Sequence, residues 1–302
     1  MKATISILML ATAFGPMYLT AAEALAVTTT PVTTIGSIPG NDAETLLRLG
    51  RACLHGDGVP KNLPKAFELF SAAAEKGNAD AMGGVGYFYS NGVVVAKDPA
   101  KAAEWFRKGA EMGSPKSRLN LGKVMLAALP AGELNPADLA KRDEALRWIR
   151  MAADQSLPEA AFDFGKIHYF GDHHITKDYK LAAAYLKLAA EAGIADAQNM
   201  MGAIHQAGSG TPIDDKKAEY WYRKAALQGH ARAQSNLGQV LGPAVEDRNT
   251  RIEALAWLML AMEQDDVTAQ KTLRDTLPAL KSGEAQEARK RAAALKVTIS
   301  KP

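Results

Sequence analysis

The sequence predicts an all-α fold: a solenoid of about six stacked helix-turn-helix repeats, closed by helices at the C-terminus. Three observations carry that prediction. Alanine recurs as Ala66, Ala102, Ala145, Ala182, Ala218 and Ala254, at spacings of 36, 43, 37, 36 and 36 residues. All four tryptophans fall in one column three residues later, which reads Leu69, Trp105, Trp148, Tyr185, Trp221 and Trp257. Glycine recurs upstream as Gly50, Gly86, Gly122, Gly165, Gly202 and Gly238, after Leu, Val, Phe or Met. A period of this length marks a repeat array, in which a single unit cannot bury its apolar faces and stacked neighbours do.

The elements follow in order. Residues 1–26 read as a secretory signal: Lys2 is the positive n-region, Ile5 to Phe14 a short apolar run, and Ala24-Leu25-Ala26 the small residues of a cleavage site near Ala26. Thr20-Ala21-Ala22 is an earlier alternative. The run is too short for an anchor and is interrupted by Gly15 and Pro16. Residues 27–41 (VTTTPVTTIGSIPGN) are rich in Thr, Pro and Gly and read as a flexible leader. The repeat array covers 42–266 and capping helices cover 267–302.

Within each repeat the first helix is short and carries small residues five before the glycine: Thr45, Ala81, Ser117, Ala160, Ala197 and Ala233. A glycine inside a helix costs about 1 kcal/mol against alanine. Its repetition therefore points to a close approach between packed helices, where a Cβ would clash. The second helix starts at an oxygen-bearing residue four before the repeated alanine: Asn62, Asp98, Asp178, Asp214 and Thr250. It ends at Gly77, Gly113, Gly193 and Gly229, suited to left-handed caps. Glycine-bearing turns join the two helices at Gly56-Asp57-Gly58, Asn91-Gly92 and Gly208-Ser209-Gly210.

The third unit departs from this plan. Its connection from Leu129 to Lys141 (LPAGELNPADLAK) is seven residues longer than the standard spacing, and Ser156 replaces the terminal glycine. Such an insertion projects from the stack and either contacts a partner or is a neutral surface feature. The sixth unit is shortened at Gly242-Pro243 and ends in Asp265. Beyond it, Val267 to Leu277 reads as an orphan first helix with Ala269 in the small-residue column, and Gly283 to Leu295 as a charged helix able to shield the last repeat.

This pattern resembles the Sel1-like repeat family, a relative of the tetratricopeptide repeats. The matching motif is Ala-x-x-x-x-Leu-Gly-x-x-Tyr, then Gly-x-Gly-Val, then Asp-x-x-Lys-Ala-x-x-Trp-Tyr-x-Lys-Ala-Ala-x-x-Gly. It is clearest from Ala81 to Gly113 and from Ala197 to Gly229. The resemblance implies a right-handed superhelix with first helices on the concave side, and a role in binding proteins. Relatives of this type work in envelope assembly, signalling regulation, motility and host contact, so the resemblance implies binding without choosing among these, and with the signal of residues 1–26 the chain is identified as an exported bacterial member.

Composition narrows the function classes. The chain of 302 residues is 47% hydrophobic and carries 36 basic and 33 acidic residues, a net charge of +3. That balance gives no reason to expect nucleic acid or anionic lipid as partner. No interior stretch is apolar enough for a membrane span. Cys53 is the single cysteine, so no intramolecular disulfide forms, and no cysteine stands at the cleavage site for a lipid anchor.

The candidate sites are few. The tryptophan column reads as inter-repeat core rather than as a ligand-stacking ladder. His168 and His205 share a column three residues after the repeated glycine, with His173 and His174 in the nearby turn. Four imidazoles in one region could hold a metal. Equivalent residues of stacked helices, however, lie ~10 Å apart, and the column otherwise holds the packing residues Cys53, Tyr89, Met125 and Leu241, so no metal site is assigned. Cys53 reads as a buried thiol without a base beyond His55. No nucleotide loop, nucleophile elbow or zinc-protease motif is present.

The expectation is thus a non-enzymatic scaffold without cofactor, in the periplasm or secreted. It would hold a protein or peptide on its concave surface or on the 129–141 loop. The alternative is an envelope enzyme or ligand binder acting on peptidoglycan or β-lactam-like compounds.

Overall fold

A computed structural model describes residues 42–242, 246–276, 278 and 280–299. The secretory signal and the leader, residues 1–41, lie outside the described residues. Among those described there are fourteen α-helices and no strands. Six antiparallel pairs come first: α1 (Ala43–His55) with α2 (Leu63–Glu75), α3 (Ala79–Asn91) with α4 (Pro99–Glu111), α5 (Pro115–Ala127) with α6 (Pro136–Asp154), α7 (Pro158–Phe170) with α8 (Tyr179–Glu191), α9 (Ala195–Ala207) with α10 (Asp215–Leu227), and α11 (Ala231–Leu241) with α12 (Arg248–Met262). Then follow α13 (Val267–Thr276) and α14 (Glu284–Ile299). From α1 to α13 each helix packs on its neighbours in sequence, within a pair and from pair to pair.

Helix ends follow local chemistry. Asn62, Asp98, Asp178 and Asp214 each accept the backbone N–H three residues on, at 2.9–3.0 Å. Gly77, Gly113, Gly193 and Gly229 follow the second helices with φ of +85°, +96°, +100° and +84°. Where glycine is missing, Ser156 and Asp265 adopt the same conformation at +64° and +62°.

Two starts differ from the sequence reading. The cap of α12 is Asp247, which accepts Thr250 N–H at 2.7 Å, so Thr250 itself lies inside the helix. In the third unit the cap is Asn135, which accepts Asp138 N–H at 2.9 Å, and Pro136 occupies the first turn without a donor to lose. Residues 136–141 are therefore helical, and α6 runs for 19 residues where the other second helices run for 13 to 15. The 129–141 segment is a loop only up to Asn135. Nor does it simply project. Arg142 Nη1 donates to the His174 carbonyl at 3.1 Å, and Leu129, Pro130 and Leu134 border a small cavity with His173 and His174 of the next repeat.

The repeated glycines face the residue after the tryptophan column. A Cβ on Gly122 would lie 2.5 Å from Ile149 and 2.7 Å from the Ala145 carbonyl. One on Gly202 would lie 2.5 Å from the Tyr222 ring. The facing column, Phe70, Phe106, Ile149, Leu186, Tyr222 and Leu258, is buried throughout. Burial of such a side chain stabilises by about 1.5–3 kcal/mol, so this column is the spine of the stack. The tryptophan column is more mixed. Trp221 and Trp257 are buried, but Trp105 and Trp148 are only half-buried.

At the C-terminus α14 lies against α12 as a further repeat would. That contact explains why α12 is buried along most of its length, from Arg251 to Ala261 save Glu253.

Candidate functional site

The first helices of successive repeats share one face, and grooves fall along it. Beside α1, α3 and α5 lies one of about 380 Å³, and between α5 and α7 one of about 340 Å³. The largest, about 880 Å³, crosses α7, α9 and α11 and reaches Thr268 of α13. Helical spacing sets its lining. Phe162, Lys166, Tyr169 and Phe170 come from the outward side of α7, Asn199, Met200 and Gln206 from α9, and Arg232 and Asn236 from α11.

The polar groups are ordered by one contact between repeats and one within repeat five. Asn236 Nδ2 donates to Asn199 Oδ1 at 2.9 Å, and the Tyr222 hydroxyl donates to Gln206 Oε1 at 2.9 Å. Burial pushes the Tyr222 phenol up, so it stays a neutral donor. Phe170 is 51% exposed at the rim, with its ring edge-on to Tyr169 at 5.0 Å. An exposed large aromatic beside side-chain amides suits a peptide: rings accept apolar side chains, and amides pair with main-chain N–H and C=O groups.

Ser235, His230 and Asp196 also border this groove, a trio that invites a catalytic reading. The geometry opposes it. His230 Nδ1 accepts the Ala233 backbone N–H at 3.1 Å, so the neutral ring carries its proton on Nε2, which faces Asp196 at 3.0 Å. Neither nitrogen is left to take a proton from Ser235, and His230 acts as the cap of α11.

The four histidines singled out in the sequence are not brought to one point. His173 and His174 are exposed in the turn after α7, both in left-handed backbone at φ of +58° and +59°. His205 is buried on α9, with its Nδ1 3.3 Å from the Thr211 hydroxyl. Burial first and Lys217 second hold its imidazole below the ordinary value. His168 is half-buried against Phe164, ring centroids 4.5 Å apart, and its Nδ1 is buried without a hydrogen-bond partner. Burial lowers its imidazole too. Among the described residues no three metal-ligating side chains come together. Cys53 is half-buried rather than buried.

Column reasoning passed over one constellation. Arg107 Nη1 donates to Glu144 Oε1 at 2.8 Å, and Trp148 Nε1 donates to the same oxygen at 3.2 Å. Arg223, Glu253 and Trp257 repeat this arrangement between repeats five and six. The signal was available: Arg stands at one column of the earlier repeat and Glu at one column of the later, with Trp four residues on.

These features can be set beside known proteins. The Sel1 repeat family matches residues 43–78, 79–114, 136–157, 158–194 and 195–230. The chain belongs to the Sel1 repeat family. Among solved structures, a protective antigen of uropathogenic Escherichia coli with this fold is 28% identical, with a TM-score of 0.72 over 86% of this chain and 54% of that one. A Sel1 repeat protein of Oxalobacter formigenes is 27% identical, with a TM-score of 0.62 over 76% of this chain and 92% of that one. A protein of Neisseria meningitidis described as uncharacterized is 26% identical over 67% of this chain and 40% of its own length. A chitin synthase regulator of Saccharomyces cerevisiae is 26% identical over 69% of this chain and 31% of its own. The chain thus spans less than half the length of these two curated relatives. A Sel1-repeat scaffold fits a protein-interaction role, and no helix among the described residues is long and apolar enough to cross a membrane.

Proposed function

We propose that the chain is a protein-interaction scaffold of the periplasm, or of the cell exterior, that holds an extended peptide segment of a partner along its first-helix face over repeats four to six. One observation carries the reading: the groove of about 880 Å³ that crosses α7, α9 and α11 sets the exposed Phe170 ring beside paired amides. Extended concave surfaces of this kind are how helical solenoids bind. The yeast relative's name, a regulator of a synthase, is in keeping with action through another protein. The 129–135 loop, exposed beside His173 and His174, is a second place for the same partner to touch. Location rests on the N-terminal signal pattern of residues 1–26.

The scaffold works without catalysis in this reading, since His230 is committed to Ala233 and Asp196. Two experiments test it. Cell fractionation finds the chain, shortened near Ala26, in the periplasm or the medium; full-length chain in the cytoplasm contradicts export. Affinity capture from the envelope fraction with Asn199→Arg and Asn236→Arg loses the specific partner while helicity by circular dichroism is unchanged. Undiminished capture, or saturable turnover of a penicillin or a muropeptide by the purified chain, refutes the scaffold reading.

A further inference from the structure

Two of the five junctions between successive second helices share one plan, and the junction between repeats four and five keeps its tryptophan without its carboxylate. Between repeats two and three, and between five and six, a carboxylate of the later helix (Glu144, Glu253) accepts from an arginine of the earlier helix (Arg107, Arg223) and from the indole N–H of a tryptophan four residues on. Between repeats four and five the arginine column holds Lys187, the carboxylate column holds Lys217, and the tryptophan is again present as Trp221. Two cations thus flank a place that a carboxylate fills elsewhere. Among the described residues nothing accepts a hydrogen bond from the Trp221 indole N–H, whose nitrogen keeps contact with solvent although the ring is buried.

That place is open. It is a cleft of about 620 Å³, walled by Lys180 and Lys187 of α8 and by Lys217 and Lys224 of α10. Ala183 and Ala184 leave room between the walls. Lys224 Nζ lies 4.9 Å from the Tyr220 ring centroid and 5.4 Å from that of Trp221, which holds it over the aromatic wall. The acids nearby are Glu191, 3.6 Å from Lys187, and Asp214, 3.1 Å from Lys217. Both pairs sit on solvent-exposed side chains, where an ion pair holds weakly and yields to a better-placed anion. Four lysines therefore line the cleft against one lining acid.

We propose that this cleft binds an acidic peptide segment, one of whose carboxylates takes the place held by Glu144 and Glu253 at two other junctions. It accepts from the Trp221 indole and pairs with Lys187 and Lys217, while Lys180 and Lys224 meet neighbouring acids. The cleft lies on the second-helix side, apart from the first-helix groove, and the inference stands independently of that groove's role.

The test is fluorescence anisotropy on the whole chain with two labelled probes: hexaglutamate with an amidated C-terminus, and hexaglutamine with a free one. Expected is saturable binding of hexaglutamate, weakened about tenfold by Lys187→Glu or Lys217→Glu through loss of a charge-assisted contact. Trp221→Phe, which keeps the ring and removes the donor, weakens it less, and Lys271→Glu on α13 leaves it unchanged. Binding of hexaglutamine but not of hexaglutamate would place a chain terminus there instead and overturn the acidic segment. Absence of saturable binding by both probes, or equal weakening by Lys271→Glu, overturns the proposal. An unchanged thermal transition in each variant keeps loss of binding distinct from loss of fold.

Discussion

Arg251 of α12 and Glu284 of α14 meet at 2.6 Å with their side chains 11% and 1% exposed, and this pair fastens the terminal helix onto the last repeat. Glu284 also accepts the Lys281 backbone N–H at 2.9 Å, and Arg248 grips Glu287 through two bonds of 2.5 and 2.8 Å nearer the surface. Taking away one member of a buried pair costs far more than an exposed pair is worth, because a charge stays behind in a dry place. Glu284→Ala therefore lowers Tm more than Glu287→Ala does in parallel thermal melts. Equal effects would mean that α14 is held by apolar contact alone. The Arg251 hydrogen bond holds the Glu284 carboxyl below the usual range. A depressed carboxylate pKa gives stability that is present above the ordinary value and lost as pH falls through the folded one. The acid limb of the wild-type stability curve should flatten in Glu284→Ala.

The glycine column makes a steric prediction. At Gly122 an added methyl meets the Ala145 carbonyl, a backbone atom that cannot turn aside, as well as Ile149. Gly122→Ala should cost about 1–3 kcal/mol in urea unfolding, the range of overpacked cores. Gly132→Ala, whose new Cβ meets nothing within 4 Å, is the control and should be near neutral.

His168 makes a prediction about pH. Its Nδ1 is buried without a partner, and burial lowers its imidazole. A base whose folded pKa is depressed gives stability that is complete above its ordinary value of about 6.5 and declines as pH falls below it. His168→Leu places in this column a residue that Leu241 already supplies in repeat six. It should raise stability by about 1 kcal/mol at neutral pH, by removing an unsatisfied polar atom. The gain should widen at about pH 5, where the native imidazole must be charged or exposed. Urea midpoints at the two pH values measure both effects.

The Arg107–Glu144 contact should act as a unit with Trp148. The Arg107 hydrogen bond holds the Glu144 carboxyl below the usual range. Both charged side chains are partly exposed, at 43% and 33%, so solvent screens the pair. A double-mutant cycle of Arg107→Ala and Glu144→Ala should give a coupling of about 0.5–1 kcal/mol that shrinks at high salt. Additive effects would show that the contact is incidental.

Much of the fold could be read from the residues because its determinants are local or periodic. The caps at Asn62, Asp98, Asp178 and Asp214 and the left-handed Gly77, Gly113, Gly193 and Gly229 follow from chemistry within one turn of chain. Where two neighbouring columns are both apolar, as with Trp105 and Phe106, the pattern does not say which faces the glycine, and the half-buried tryptophans show the consequence. The 129–141 segment differs from the expected loop because Asn135-Pro136 is a good helix start placed before the expected one. The groove could not be read at all. It joins Phe170, Asn199 and Asn236 from three repeats, and their proximity depends on how the pairs are stacked.

The central claim is that the first-helix face over repeats four to six seats a partner peptide, and site-specific photocrosslinking in cells tests it most directly. A photoreactive residue at Phe170 or Met200, in the groove, should crosslink one and the same partner, identified by mass spectrometry, whereas one at Lys290 on exposed α14 should not. Crosslinks to that partner from Lys290 but not from Phe170 or Met200 would contradict the account.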